Sequence, residues 1–218
     1  MSSARTTSKL ALMLALALPL ACVNPFKPAD PEPPDANAPI EDYRSPEAAL
    51  ETMRQAVESK TSGANAWLHA FAESTLAGDR AYRCFYDGAV KRSWETGASR
   101  TAPEPWDLSL ERSLHSSLAG IRANATYSFQ WAPDPNAQND DDPAAADTAQ
   151  FHRKYTLKAS DGGNLATIAI GFCDLSFQKV NGRWSIYRWN DRFDPDVGPS
   201  PSTDERTMTW RRLESLSH

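Results

Sequence analysis

The chain has 218 residues, a net charge of −5, 40% apolar residues and seven Trp. This composition supports a folded apolar core of ordinary domain size and excludes a wholly disordered chain. Non-specific nucleic-acid binding gains its affinity from clustered Lys and Arg, so the acidic balance excludes a nucleic-acid partner.

The N-terminus has the pattern of a secretory signal peptide over residues 1–21. Arg5 and Lys9 precede an apolar run that extends from Leu10 to Leu18. A helix needs roughly 20 apolar residues to cross a bilayer, and this run is shorter. We therefore expect a cleaved leader rather than a transmembrane anchor.

Cys22 follows the small residue Ala21 at the end of this leader. The ending resembles the lipobox of bacterial lipoproteins, with Pro19 where that family usually has Leu. The resemblance implies cleavage before Cys22, a diacylglycerol thioether on Cys22 and N-acylation, typically with palmitate. Because Val23 and not Asp comes next, it also implies the outer membrane, facing the periplasm or the cell surface. The alternative is a plain secreted protein cut near Ala21.

Residues 22–44 are interpreted as a tether that starts at the lipidated cysteine. Val23 to Arg44 contains six prolines, an acidic excess and hardly any apolar periodicity. Proline favours polyproline II geometry, at about 3.1 Å per residue. We expect an extended spacer between the membrane and one domain at residues 45–195, with a C-terminal tail at 196–218.

The domain is predicted to start with helices. Ser45, Pro46 and Glu47 are an N-cap, a first helical residue and a first-turn acid, so a helix should begin here and run to about Lys60. Its apolar stripe consists of Ala49, Leu50, Met53, Ala56 and Val57.

Two further helical segments follow. A short one carries Trp67, Leu68 and Phe71, with His69 beside them as a packing residue. Another spans Trp106 to Leu118. There Leu110, Leu114 and Leu118 recur every four residues, and Glu111, Arg112 and His115 are expected to decorate the surface.

The strands come mainly after the helices. Alternating patterns predict strands at Ala81–Tyr86, Thr126–Trp131 and Phe151–Ala159, followed by a hairpin from Asn164 to Pro195. Ala132 to Asp147 is polar and is expected to be a long exposed loop. Its acids at 140–142 lack the alternating ligands, central Gly and closing Glu of an EF-hand, so we expect no metal site.

The hairpin is the strongest local signal, because Asn181-Gly182 tolerates the positive φ angles of a two-residue type I′ turn. The turn fixes the register: Val180 faces Arg183, Lys179 faces Trp184, Phe177 faces Ile186, and Ser176 faces Tyr187.

Helices followed by strands indicate the α+β class, with N-terminal helices packed in a curved antiparallel sheet. The segments Ser45–Ala49 (SPEAA) and Gly182–Trp189 (GRWSIYRW) resemble the start and final strand of the nuclear transport factor 2-like superfamily. The resemblance covers residues 45–195. It implies a cone-like, cystatin-like roll that can enclose a pocket, as in SnoaL-like and ketosteroid isomerase-like proteins. Isomerases, dehydratases, cyclases and non-catalytic modules all use this fold, so it decides no activity.

Asp174 is the one candidate catalytic residue. Apolar residues change parity around Cys173, which predicts a β-bulge that could turn Asp174 into the pocket. The alternative is that Asp174 faces solvent or pairs with Arg188 or Arg192. The residues that define the two parities are Ile168, Ile170 and Phe172 on one side, and Leu175 and Phe177 on the other.

Four other residues have structural interpretations. Tyr187 and Trp189 are expected to line the pocket or to pack in the core. Cys84 and Cys173 lie on predicted strands of an exported protein, where they could form a disulfide or remain two buried thiols. A bridge requires Cα atoms within about 7 Å.

No catalytic signature accompanies this fold. We therefore expect a lipid-anchored envelope protein whose domain is a non-catalytic module for a small apolar ligand or an envelope protein. The alternative is a lipid-anchored isomerase, dehydratase or cyclase-like enzyme acting in the cone pocket. No cofactor is expected in either case.

Overall fold

The computed structural model describes residues 38–73, 80–86, 88, 91–92, 95, 106–121, 124–139, 141–145 and 147–194. The predicted signal peptide, Cys22, most of the predicted tether and the predicted C-terminal tail lie outside these ranges. The helices are α1 (Pro46–Glu58), a 3-10 turn (Lys60–Gly63), α2 (Ala64–His69) and α3 (Leu108–Ile121). The strands are β1 (Arg83–Tyr86), β2 (Thr126–Pro133), β3 (Asp142–Ala145), β4 (Thr148–Asp161), β5 (Asn164–Val180) and β6 (Arg183–Arg192). Among the described helices, none is long and apolar enough to cross a membrane.

The strands form one sheet in the order β1-β6-β5-β4-β2, and β3 pairs with β4. Strands β2, β4, β5 and β6 form the expected antiparallel meander, while β1 lies parallel to β6 at one edge. The helices and one face of the sheet share the apolar core. The predicted α+β class, with helices packed in a curved antiparallel sheet, is confirmed.

One segment differs from the prediction. Residues 132–147 were expected to be a loop, but they contain the end of β2 and all of β3. Strand β3 pairs with the first residues of β4, as Asp142 opposite Gln150 shows. Its sequence has no alternating apolar pattern, so the pairing with β4 rather than local propensity explains the strand.

Helix α1 begins as predicted. The Ser45 hydroxyl accepts a hydrogen bond of 3.1 Å from the backbone N–H of Ala48, and the predicted apolar stripe is buried. The opposite end of α1 covers the open edge of β2, because the Phe129 N–H donates to the Glu58 carboxylate at 3.1 Å. An edge strand covered in this way is protected from pairing with another chain.

The last residues of the predicted tether pack on the domain. The N–H of Asp42 donates to the Thr52 hydroxyl at 2.9 Å, and the Tyr43 hydroxyl donates to the Ala66 carbonyl at 2.8 Å. The N–H of Trp184 donates to the Tyr43 carbonyl at 2.8 Å. The packed domain therefore begins before Ser45.

The hairpin has the predicted turn, since Asn181 and Gly182 have φ angles of 53° and 81°. The predicted register is confirmed from Val180–Arg183 to Phe177–Ile186. Ser176 then pairs with Arg188 and not with Tyr187. Tyr187 is thus an extra residue, and the bulge lies in β6.

The predicted bulge near Cys173 was wrong. Strand β5 shifts against β4 near Ile168, and residues 169–177 keep one parity. The apolar Phe172 suggested the wrong parity, because it lies on the outer face of the sheet. There the Lys154 ammonium and the Arg192 guanidinium lie 5.2 and 6.0 Å from its ring centre.

Candidate functional site

An open groove of about 360 Å³ lies between the start of β1 and the first turn of α3. We call it the Tyr82 groove. It is lined by Ala72, Glu73, Ala81, Tyr82, Arg83, Asp107, Leu108, Ser109 and Arg112. Sequence reasoning did not identify it, because its two walls come from segments that are distant in the chain.

A buried hydrogen bond lies behind this groove. The Tyr82 hydroxyl donates to Oε1 of Glu111 at 2.5 Å, and both residues are buried. The Tyr82 ring also packs on Phe71, with 4.4 Å between ring centres. These contacts fix the phenol of Tyr82 in one orientation.

The rim of the groove carries charges of both signs. Oδ1 of Asp107 accepts hydrogen bonds from the Ser109 hydroxyl and from two backbone N–H groups at the start of α3. The Ser109 hydrogen bond, followed by those from the backbone, lowers the pKa of Asp107 below its usual value. Its carboxylate is therefore occupied as a helix cap, while Glu73 and Arg112 remain exposed.

Glu111 and His115 were predicted to lie on the surface of the third helix, and this was wrong. Both are buried, at 0% and 3% exposure, and they share the inner face of α3 with Leu114 and Leu118. This spacing of i, i+3, i+4 and i+7 is the core stripe of a helix. The sequence contains this spacing, but the polarity of Glu111 and His115 suggested that they face solvent.

His115 is buried beside an aromatic ring of the core. Its ring centre lies 5.8 Å from that of Trp67. Burial lowers the pKa of His115 to about 4, and the nearby backbone of Ala56 opposes this shift. The imidazole is therefore neutral at neutral pH.

A cluster of aromatic side chains lies between the helices and the sheet. Trp189 is fully buried, and its ring centre lies within 6.5 Å of four others. The neighbours are Trp67, Phe71, Trp131 and Tyr155. Trp189 therefore packs in the core, which is one of the two positions predicted for it.

Tyr187 occupies a different environment. It is half-buried at the bulge of β6, and the Arg80 guanidinium lies 4.8 Å from its ring centre. Neither Tyr187 nor Trp189 lines the Tyr82 groove.

A second buried carboxyl lies near the end of β6. Asp191 is fully buried and accepts a 2.8 Å hydrogen bond from the Tyr155 hydroxyl. The Tyr155 ring lies over Gly171, where a Cβ would overlap the phenol. The glycine thus provides the space in which Tyr155 reaches Asp191.

Asp174 lies on the outer face of the sheet. Its neighbours Cys173 and Leu175 point into the core, so alternation places Asp174 on the opposite face. Its Oδ1 accepts a 2.8 Å hydrogen bond from Arg192 and lies 2.7 Å from Nδ1 of His152. Asp174 therefore pairs with Arg192, one of the two arginines expected as its partner. The carboxylate is not aimed into the cone.

Cys84 and Cys173 are two buried thiols, which is one of the two alternatives expected for them, and no disulfide joins them. Cys84 pairs with Trp189 across β1 and β6, whereas Cys173 lies one strand further away on β5. Two strand spacings amount to about 9.6 Å, beyond the reach of about 7 Å that a disulfide allows.

No family model matches this sequence, and no curated protein matches it. Its structure is similar to that of a protein of unknown function from Mycobacterium tuberculosis, at 11% identity and a TM-score of 0.50. That match covers 78% of this chain and 85% of the other.

Two Novosphingobium aromaticivorans proteins have TM-scores of 0.44. An NTF2-like protein with a cystatin-like fold is 11% identical, covering 66% of this chain and 75% of its own. A candidate scytalone dehydratase is 12% identical, and the match covers 68% of this chain and 81% of that protein. The likeness concerns the fold alone: the chain has the α+β roll, with helices packed in a curved antiparallel sheet.

Proposed function

We propose that this chain is a lipid-anchored protein of the cell envelope, and that its domain is a non-catalytic module which binds a partner protein at the Tyr82 groove. The observation that carries the proposal is the contact of Trp189 with four aromatic rings in the interior. A ligand enclosed there would have to displace fully buried side chains, which pack at the density of a protein core. Binding on the surface avoids that cost.

The carboxyl groups of the described core support a role without catalysis. Glu111 is bonded to Tyr82 and Asp191 to Tyr155, each inside close packing. A general acid or base must reach its substrate within hydrogen-bond distance. Asp174 is held by Arg192 on the outer face instead.

The chemistry of the Tyr82 groove favours a protein partner over a small apolar ligand. Sites for small molecules are mostly apolar and enclosed. This groove is open, and its rim carries Glu73, Asp107, Arg83 and Arg112. Such a mixture suits the polar rim of a protein interface.

The anchor rests on the sequence. A leader over residues 1–21, Cys22 after Ala21, and the proline-rich segment that follows support a lipoprotein on a tether. Val23 after the cysteine supports the outer membrane, facing the periplasm or the cell surface.

One observation favours an enzyme as the second candidate. Glu111 is a buried carboxyl directly behind the Tyr82 groove. A lipid-anchored isomerase, dehydratase or cyclase-like enzyme would use Glu111, and not Asp174, as its acid or base. Such an enzyme must open the groove to expose Glu111.

Native mass spectrometry of the protein extracted from its own membrane in mild detergent tests the proposal. The expected species is the chain from Cys22 onward with its acyl groups and without a retained small molecule. Cys22→Ala is the control and should lose the acyl mass and leave the membrane fraction. If the wild-type domain retained one apolar molecule per chain, the domain would be a module for a small ligand and not for a partner protein.

A further inference from the structure

Two arginines lie side by side at one edge of the sheet. Arg83 of β1 is the direct register partner of Arg188 of β6 in the parallel pair. Like charges at directly opposed positions destabilise a sheet. An arrangement that opposes folding in this way indicates a role beyond folding.

Both arginines lie on the outer face. Cys84 and Trp189, the next residues of the two strands, are buried in the core, so alternation turns Arg83 and Arg188 outward. The Arg188 guanidinium lies 4.8 Å from the ring centre of Phe85, the next outward residue of β1. Phe85 is 48% exposed.

Arg80 adds a third charge. Its guanidinium lies 4.8 Å from the ring centre of Tyr187. Its backbone N–H and carbonyl are both bonded to the side-chain amide of Gln178, at 3.2 and 3.3 Å. We call Arg80, Arg83, Arg188 and Phe85 the arginine face.

Within the described part of the chain, no carboxylate forms an ion pair with these three guanidiniums. Arg83 donates to the backbone carbonyl of Tyr82, and Arg188 to the amide oxygen of Asn190, both at 3.1 Å. Arg192, further along β6, contrasts with them because it binds the carboxylates of Asp174 and Asp134. The strands therefore hold Arg153 and Arg192 in ion pairs with carboxylates. Among the described residues, the three guanidiniums of the arginine face have no such pair, and Asp107 attracts Arg83 only at longer range.

We infer that the arginine face binds an acidic segment of the partner protein. A guanidinium matches a carboxylate with two parallel hydrogen bonds, and stacking on an aromatic ring holds it in place for this. Phe85 offers an apolar contact between the charges. Side chains along a strand recur every second residue, which suits an extended peptide.

This inference rests on the proposed function, because Arg83 lines the Tyr82 groove as well. A partner seated in the groove would thus continue onto the arginine face. Arg80 and Arg188 do not line the groove, so the two surfaces can be tested separately.

The test is the binding of a fluorescent peptide of alternating Glu and Leu to the full protein in detergent, measured by anisotropy. The same peptide with Gln in place of Glu is the ligand control. We expect the acidic peptide to bind more tightly, and Arg80→Gln with Arg188→Gln to weaken it by about tenfold at low salt. Because both arginines are exposed and Arg188→Gln removes the repulsion from Arg83, the double variant should melt no lower than the wild type.

The matched control removes two charges elsewhere, with Arg44→Gln and Lys158→Gln, and should retain the affinity. An equal loss in both double variants would overturn the inference, since it would reflect net charge alone. Binding to phosphatidylglycerol vesicles but not to the peptide would overturn the acidic segment in favour of a lipid surface. If cells that carry the Arg80 and Arg188 variant still form the partner complex, the inference fails while the proposed function stands.

Discussion

Tyr82, which directly precedes strand β1, is joined to Glu111 of helix α3 by one buried hydrogen bond, in which the phenol donates to the carboxyl at 2.5 Å. The Tyr82 groove lies on the solvent side of this bond. The shape of the groove therefore depends on two side chains that come from different segments and are 29 residues apart.

Tyr82→Phe removes this hydrogen bond and keeps the ring. A bond to a buried carboxyl contributes about 1.5–3 kcal/mol, so the free energy of unfolding in urea should fall by about that amount. Tyr187→Phe is the matched control. Its hydroxyl has no hydrogen-bond partner among the described residues, so the loss there should stay below about 0.5 kcal/mol. Equal losses for the two variants would contradict the buried bond.

His115 makes stability depend on pH. Its pKa falls from the ordinary 6.5 to about 4 in the folded state, so the unfolded chain binds more protons between these values. The contribution is complete above about pH 6.5 and is lost as the pH falls through 4. The shift corresponds to roughly 3 kcal/mol.

Urea unfolding at a series of pH values checks this dependence. His115→Leu should flatten the change in unfolding free energy between pH 4 and 6.5, the range of the two pKa values. His69→Leu is the control, because His69 is partly exposed beside Glu41. If the unfolding free energy of His115→Leu changed with pH as steeply as that of the wild type, other groups would cause the effect.

Gly171→Ala should destabilise the sheet next to Asp191. Its Cβ would overlap the Tyr155 phenol and lie 2.8 Å from the carbonyl oxygen of Arg192. Overpacking of this kind costs about 1–3 kcal/mol, which thermal unfolding would report as a lower Tm. Gly88→Ala is the matched control, since its nearest neighbour is the end of the flexible Arg92 side chain at 3.3 Å. An unchanged Tm for Gly171→Ala would mean that Tyr155 does not occupy this space.

The two cysteines of the domain should react as thiols once the protein unfolds. In the Cys22→Ala protein without reductant, a maleimide should add slowly to the native state, because Cys84 and Cys173 are buried. It should add twice per chain in denaturant. If labelling in denaturant required prior reduction, Cys84 and Cys173 would be joined by a disulfide.

Local signals predicted helix α1 and the hairpin. Ser45 and Pro46 encode the helix start within three residues, and Asn181-Gly182 encodes the turn. The bulge at Tyr187 could not be predicted in this way, because it is a property of the pairing between β5 and β6. Phe172 shows the same limit, since two cations cover an apolar residue on the outer face.

The candidate site was missed for a related reason. Glu111 and His115 follow the helical core period, but their polarity suggested an outward position. Arg83 and Arg188 become neighbours only through the parallel pairing of β1 with β6. No pattern within either strand reports that contact.

If the Tyr82 groove receives a partner protein, photo-crosslinking in the cells that make the protein should capture that partner. A photoreactive amino acid at Glu73, exposed on the groove, should yield one defined crosslinked envelope protein. The same amino acid at Gln130, exposed on β2, should not. Equal crosslinking from both positions, or none from Glu73, would mean that no partner protein binds in the Tyr82 groove.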